Sequence, residues 1–221
     1  MPRASFERHL RELKDEVLVL GSMVEKAIVR SVEALKKRDL ELARQVVEAD
    51  SEIDQKRYET EERCLDLIVT QQPMAGDLRI IVSVLYIIVD LERIADHAEG
   101  IARIAIMIGD EPPLKPLVDI PRMAEKATDM LHRSLDAFIV HDADTARQIV
   151  FEDDEIDALY DQVFRELLVF MLEDPRTVTR ATRLIWAAHN LERIADRVTN
   201  ICERVVFTVT GKIEELGVSK Y

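Results

Sequence analysis

The hexapeptide LERIAD occurs twice in this chain, from Leu91 to Asp96 and from Leu191 to Asp196. The duplication runs far beyond it. "SVEALKKRDLELARQVVEADSEID" lies over "SLDAFIVHDADTARQIVFEDDEID" without a gap, opening at Ser31 and at Ser134, 103 positions apart, whereas the LERIAD copies are 100 apart. The difference of three falls between "TQQPMAGDLR" and "EDPRTVTR", where Pro, Gly and Asp mark a loop that absorbs a deletion. A chain built from two copies of one unit must find a fold in which the same supersecondary structure is made twice, and this restricts the architecture more than any single motif.

Each copy predicts three helices. In the first, Leu10, Leu13, Val17, Leu20, Val24, Ala27 and Leu35 recur at three- and four-residue spacing over residues 6–37. Asp39 stands where an N-cap would open a second helix to about Thr70, and Asp77 where one would open a third to about Ile108. The second copy predicts helices from Pro121 to Val140, Ala143 to Leu172 and Pro175 to Thr210, with Asp142 and Asp174 as caps and Pro175 at a first helical position. The β-branched run from Ile80 to Val89 reads as helix because its spacing continues into LERIAD and its partner, "RATRLIWAAHN", is a good helix former. The expected fold is all-α, six long helices as two tandem three-helix bundles: residues 1–110, a linker at 111–116 carrying tandem prolines, and residues 117–221. With only 6 Gly and 7 Pro in 221 residues, a turn-rich sandwich or barrel is disfavoured.

The repeat also places charge. Glu92 and Asp96 in one copy, and Glu192 and Asp196 in the other, sit four apart on one helical face, continuing the apolar stripe of Val82, Leu85 and Val89. The second helices carry pairs of their own, Asp50 with Asp54 and Asp153 with Asp157. A like-charge pair at this spacing is mildly destabilising unless a cation offsets it. If the second and third helices of each copy are antiparallel neighbours, four carboxylates face one another, and desolvating them requires protons, Arg or Lys, or a hard cation. Oxygen-only donors suit Mg²⁺, Mn²⁺, Ca²⁺ or iron rather than zinc. His189, opposite Val89, reads first as a core or surface histidine, but it and Asn200, opposite Gly100, are the residues that could enrich the second set alone. Against this stands solvated surface, in which Arg93 and Arg193 pair with Asp96 and Asp196 three residues on.

The net charge of −13 argues against nucleic acid and against direct contact with an anionic membrane. The longest apolar run, Ile80 to Val89, falls short of the roughly 18 residues of a membrane span, and the N-terminus carries no signal-peptide apolar region, so a cytoplasmic protein is expected. Cys64 and Cys202 lack paired or metal-type spacing and read as reduced, buried thiols.

Two three-helix repeats, each with an acidic pair after "ARQ(V/I)V" and a "(D/N)LERIAD" block on its third helix, resemble the PhoU family of phosphate-response regulators from about Phe6 to Phe207. The LERIAD blocks fit that family's E(D)xxxD metal motif. The resemblance implies a cytoplasmic, non-enzymatic, commonly dimeric adaptor between a phosphate ABC-transporter ATPase and a sensor histidine kinase, which keeps the phosphate-starvation response off when phosphate is plentiful. It implies one metal site from Glu92, Asp96, Asp50 and Asp54, and another from Glu192, Asp196, Asp153 and Asp157. The competing readings are a carboxylate-bridged, ferritin-like metal protein and a plain helical scaffold. The former is weakened because no Glu-x-x-His occurs, the nearest match being Asp129 with His132. Neither a P-loop nor a GxGxxG is present to hold a nucleotide.

Overall fold

The computed structural model describes residues 3–216 and shows six helices: α1 (Arg3–Lys37), α2 (Leu40–Gln71), α3 (Ala75–Ile108), α4 (Asp119–Val140), α5 (Ala143–Glu173) and α6 (Val178–Thr210), with a 3₁₀ turn at Pro175–Thr177 before α6. Among the described residues there is no strand, and none of the helices is long and apolar enough to cross a membrane. The run from Ile80 to Val89 lies in mid-α3. In α1 the expected stripe is the buried face, with Leu13, Val17, Leu20 and Val24 fully covered.

Helix ends follow side-chain chemistry closely. Asp39 accepts from Leu42 N at 2.9 Å and Asp142 from Asp144 N and Thr145 N, each at 3.0 Å, so both cap their helices as expected. The residues before them, Arg38 and His141, adopt left-handed backbone at φ 58° and 59°. That conformation costs a non-glycine residue about 1 kcal/mol, and both turns recover hydrogen bonds for it, Asp39 N to Ala34 O and Asp142 N to Ala137 O. The same turn is thus built at equivalent places in the two repeats. Two expected caps are corrected. Asp77 lies inside the first turn of α3, which opens at Met74 without a side-chain cap. Asp174 and Pro175 open the 3₁₀ turn, where Asp174 accepts from Arg176 N, and α6 itself begins at Val178. The start of α3 is thus earlier than expected, with Met74 at the cap position, and that of α6 later, after the extra 3₁₀ turn. The two first helices also begin earlier than the periodicity implied, at Arg3 and Asp119.

In each repeat the three helices touch one another pairwise, and the repeats join through α3 against α6 and α1 against α4. The centre is therefore a four-helix arrangement of α1, α3, α6 and α4, with α2 and α5 outside it on α1/α3 and α4/α6. The repeats lie side by side. Close approach of α1 and α4 depends on Gly21, where an added Cβ would stand 2.2 Å from Leu135 Cδ1. At the α3/α6 seam, Gly100 lies against Asn190, whose Oδ1 would be 3.1 Å from a Cβ there. Asn190 Oδ1 also meets His97 Nδ1 at 2.9 Å. In the symmetry-related place Asn200 Nδ2 donates to Asp90 Oδ1 at 3.4 Å, so the pairs 190 with 100 and 200 with 90 cross the seam in mirrored fashion.

Candidate metal and regulatory sites

Because α2 and α3 are antiparallel across a three-residue connection, as are α5 and α6 across the 3₁₀ turn, the second-helix and third-helix acids of each repeat come together. Their mutual electrostatics show it. Burial, followed by the charges of Glu99, Asp54, Asp96 and Glu92, pushes Asp50 up to about 6. Burial, then Asp157, Asp196, Glu192 and Asp154, pushes Asp153 up to about 7. Glu192 also reaches about 7, through burial and the neighbouring Asp196, with Arg193 opposing.

The two sets differ in depth. The Glu192 side chain is 8% exposed and that of Glu92 21%. For Asp196 and Asp96 the figures are 24% and 42%, so the second set is the more desolvated of the two. Asp153, Asp157, Glu192 and Asp196 all line one cavity of about 670 Å³, together with Asn200. In the first repeat Asp50 and Glu99, with Glu52, line a smaller cavity of about 240 Å³ that Asp54, Glu92 and Asp96 do not reach, while Arg93 holds Asp96 at 3.1 Å and lies 3.5 Å from Glu92.

Two oxygens in the larger cavity's lining, Asp153 Oδ1 and Glu192 Oε2, are buried with no hydrogen-bond partner. His189 Nδ1 and Arg193 Nε lie 3.3 and 3.4 Å from Glu192 Oε2, within ion-pair range but without hydrogen-bond geometry. His189 stands beside Glu192, tilted against the Tyr160 ring at 5.9 Å and outside the cavity lining. Burial first, then the Arg193 charge and the neighbouring His97, hold its pKa below the usual histidine range. Asn200 lines the cavity but commits its amide nitrogen to Asp90.

Three features escaped the sequence reading. Glu99, three residues beyond Asp96, joins the first set, and its counterpart is Thr199, so the repeat hid it. Asp154 joins the second set. The segment after Gly211 folds back over the second cavity, with Leu216 N donating to Glu203 Oε1 at 2.9 Å and Arg147 Nη2 lying 3.3 Å from Glu214 Oε2. Nothing in local periodicity announces that return.

As a test of fit, the second set is all oxygen, strongly acidic and holds two orphaned buried acceptors, which suits a hard divalent or iron-type cation. Among the described residues no three Asp, Glu, His or Cys side chains stand close enough to form a ready-made coordination sphere. Occupancy would draw the carboxylates inward.

Fold and sites together define a tandem-repeat helical bundle with a carboxylate-lined groove on the outer flank of each repeat. The chain belongs to the PhoU family: the PhoU domain matches residues 17–105 and again 120–205. It is 41% identical over 206 residues to the phosphate-specific transport system accessory protein PhoU homolog of Aquifex aeolicus, covering 93% of each chain. To the corresponding Escherichia coli protein it is 33% identical over 207 residues, 94% of this chain and 86% of that one. The crystal structure of PhoU from Pseudomonas aeruginosa superposes with a TM-score of 0.89 at 37% identity, over 94% of this chain and all of that one. The phosphate transport system regulatory protein PhoU from Streptococcus pneumoniae also gives 0.89, at 30% identity over 96% of this chain and 100% of that one.

Proposed function

We propose that this chain is a cytoplasmic accessory regulator of a phosphate-specific transport system, coupling a phosphate ABC-transporter ATPase to a sensor histidine kinase and holding the starvation response down. The name carried by its relatives, accessory protein of such a system, supports the system it serves. The role is binding and coupling rather than catalysis, and the working form is a homodimer.

The observation that carries the metal-dependent part is the desolvated second set, Asp153, Asp157, Glu192 and Asp196, with its unsatisfied oxygens at Asp153 and Glu192. Those four residues would hold Mg²⁺, Mn²⁺ or iron, and Glu92, Asp96, Asp50 and Asp54 a second, more solvated ion. A cation there neutralises charge that the protein otherwise buries at a cost, and ties α5 to α6. The adaptor face would then be stiffer and less acidic when loaded.

The test has two arms. A strain lacking the chain, carrying a phosphate-starvation reporter, should express the reporter in phosphate-rich medium and be repressed again by the wild-type chain. Unchanged repression in the deletion strain refutes the regulatory reading. Elemental analysis of protein purified without chelator, compared with a helical Asp153→Asn, Glu192→Gln variant, should show metal retained by the former and lost by the latter. Equal metal in both refutes this assignment of the site.

A further inference from the structure

The inter-repeat linker closes a cavity of a different character from the acidic grooves. It measures about 280 Å³ and lies where the C-termini of α1 and α3 meet the start of α6. Its walls are apolar: Leu35, Ile108, Leu114, Leu117 and Leu184 contribute side chains, and Pro112, Pro113 and Pro116 stiffen the outer side. Four cations, Lys36, Arg38, Lys115 and Arg180, stand around it against one acid, Glu111. In a chain of net charge −13 this is a local reversal of sign.

Two of those cations build the pocket. Arg180 donates to Pro112 O at 2.8 Å and pairs with Glu111 at 3.2 Å, while Lys115 pairs with Asp119 at 3.5 Å and with Glu166. Arg183 adds a bond to Met107 O at 2.7 Å. The linker is thereby fastened to α6, α4 and α5, and the cavity is preformed rather than opened on demand. The other two cations are free to bind. Lys36 and Arg38 are exposed, and neither side chain makes a hydrogen bond or ion pair among the described residues. Arg38 sits at the end of α1 with left-handed backbone, φ 58°.

We infer that this cavity is a binding site for a small amphiphilic anion, a carboxylate or phosphate monoester on an apolar chain or ring, with the apolar part between the linker prolines and Leu184 and the anionic head on Lys36 and Arg38. The chemistry follows from the lining. An apolar ligand without charge would leave two cations unused, and a free inorganic anion would gain nothing from the leucine walls. The volume, at the low edge of small-molecule sites, which hold about 300–1,000 Å³, limits the apolar part to a short chain or single ring system. Walls come from both repeats, so an occupant would span their junction.

The test is calorimetric titration of the full chain with octanoate below its micelle concentration, with 1-octanol as the uncharged control. Octanoate should bind with a Kd of roughly millimolar or tighter, and octanol roughly tenfold more weakly. The double variant Lys36→Gln, Arg38→Gln should lose about tenfold for octanoate and nothing for octanol, and Leu114→Glu should abolish both. Lys26→Gln, at the separate small cavity of the first repeat, should bind as wild type. Flotation with phosphatidylglycerol vesicles identifies the source of the amphiphile. Capture lost in the Lys36, Arg38 variant assigns a membrane lipid, and octanoate binding without flotation assigns a free molecule. Absence of octanoate binding, equal affinity for octanol, or binding untouched by the Lys36, Arg38 variant overturns the inference.

Discussion

Replacing Glu192 by Gln removes a charge while keeping shape, and in metal-free protein it should stabilise the fold above neutral pH. Burial and Asp196 lift the Glu192 carboxyl from its ordinary 4.5 to about 7. The folded chain therefore holds a proton there that the unfolded chain has released. Below pH 4.5 both states are protonated and the glutamate costs nothing; as pH rises towards 7 the native state loses stability relative to the unfolded one, and above 7 the loss is complete. The interval is worth roughly 3 kcal/mol at about 1.4 kcal/mol per tenfold change. The cavity admits solvent and Arg193 stands 3.4 Å away, so about 2 kcal/mol is the value to expect. For a chain of this size that is a rise in Tm of about 4–8 °C. Urea unfolding of wild type and variant in chelator at pH 5 and pH 8 measures it. The variant should gain at pH 8 and gain little at pH 5, and added Mn²⁺ or Mg²⁺ should raise the wild type and leave the variant behind. A variant less stable than wild type at pH 8 would show that His189 and Arg193 stabilise the ionised glutamate more than burial penalises it. The desolvation argument would then be refuted.

Other consequences are local to the fold. Gly21→Leu forces side-chain atoms onto Leu135, itself 2% exposed, and should cost about 2–3 kcal/mol in urea unfolding; Leu135→Ala should cost less in that background than in wild type. Thr208 Oγ1 donates to Arg204 O at 2.8 Å and lies 2.7 Å from Ser83 Oγ across the α3/α6 seam, accepting from the Ser83 hydroxyl. Ser83→Ala should therefore cost about 1 kcal/mol by chemical denaturation, and adding Thr208→Val should cost little more, since the pair is removed together. Burial pushes the Cys64 and Cys202 thiols up to about 12. Both should be silent to a thiol-specific disulfide reagent in native protein and react at once in guanidinium, and native reactivity of either would contradict the packing.

Much of the helical frame was legible because repetition samples the same physics twice. Asp39 and Asp142 stand at matching places in the two repeats, and both are caps. The pairs at Glu92 with Asp96 and Glu192 with Asp196 were visible as surface chemistry at helical spacing, and antiparallel neighbours do bring the α2 and α5 acids opposite them. What the repeat concealed is where its copies differ. Glu99 aligns with Thr199, so comparing the halves erases a member of the first set. Asp77 fails as a cap because the chain enters α3 three residues earlier, with Met74 at the cap position, a detail of the loop that periodicity does not encode.

The unequal burial of the two acidic sets has a physical source in these differences. In the second repeat the chain beyond Gly211 returns over the α5/α6 groove, held by Leu216 on Glu203 and by Arg147 on Glu214, and so shields carboxylates that would otherwise face water. In the first repeat the corresponding exit from α3 at Gly109 runs instead into the proline linker and is fastened to α6 by Arg180 and Arg183. One exit covers an acid groove and the other walls an apolar, cationic cavity. Desolvation therefore falls on Glu192 more than on Glu92, so in the metal-dependent role proposed above the second set carries the charge most in need of an offsetting cation, even though both repeats spell the same six letters.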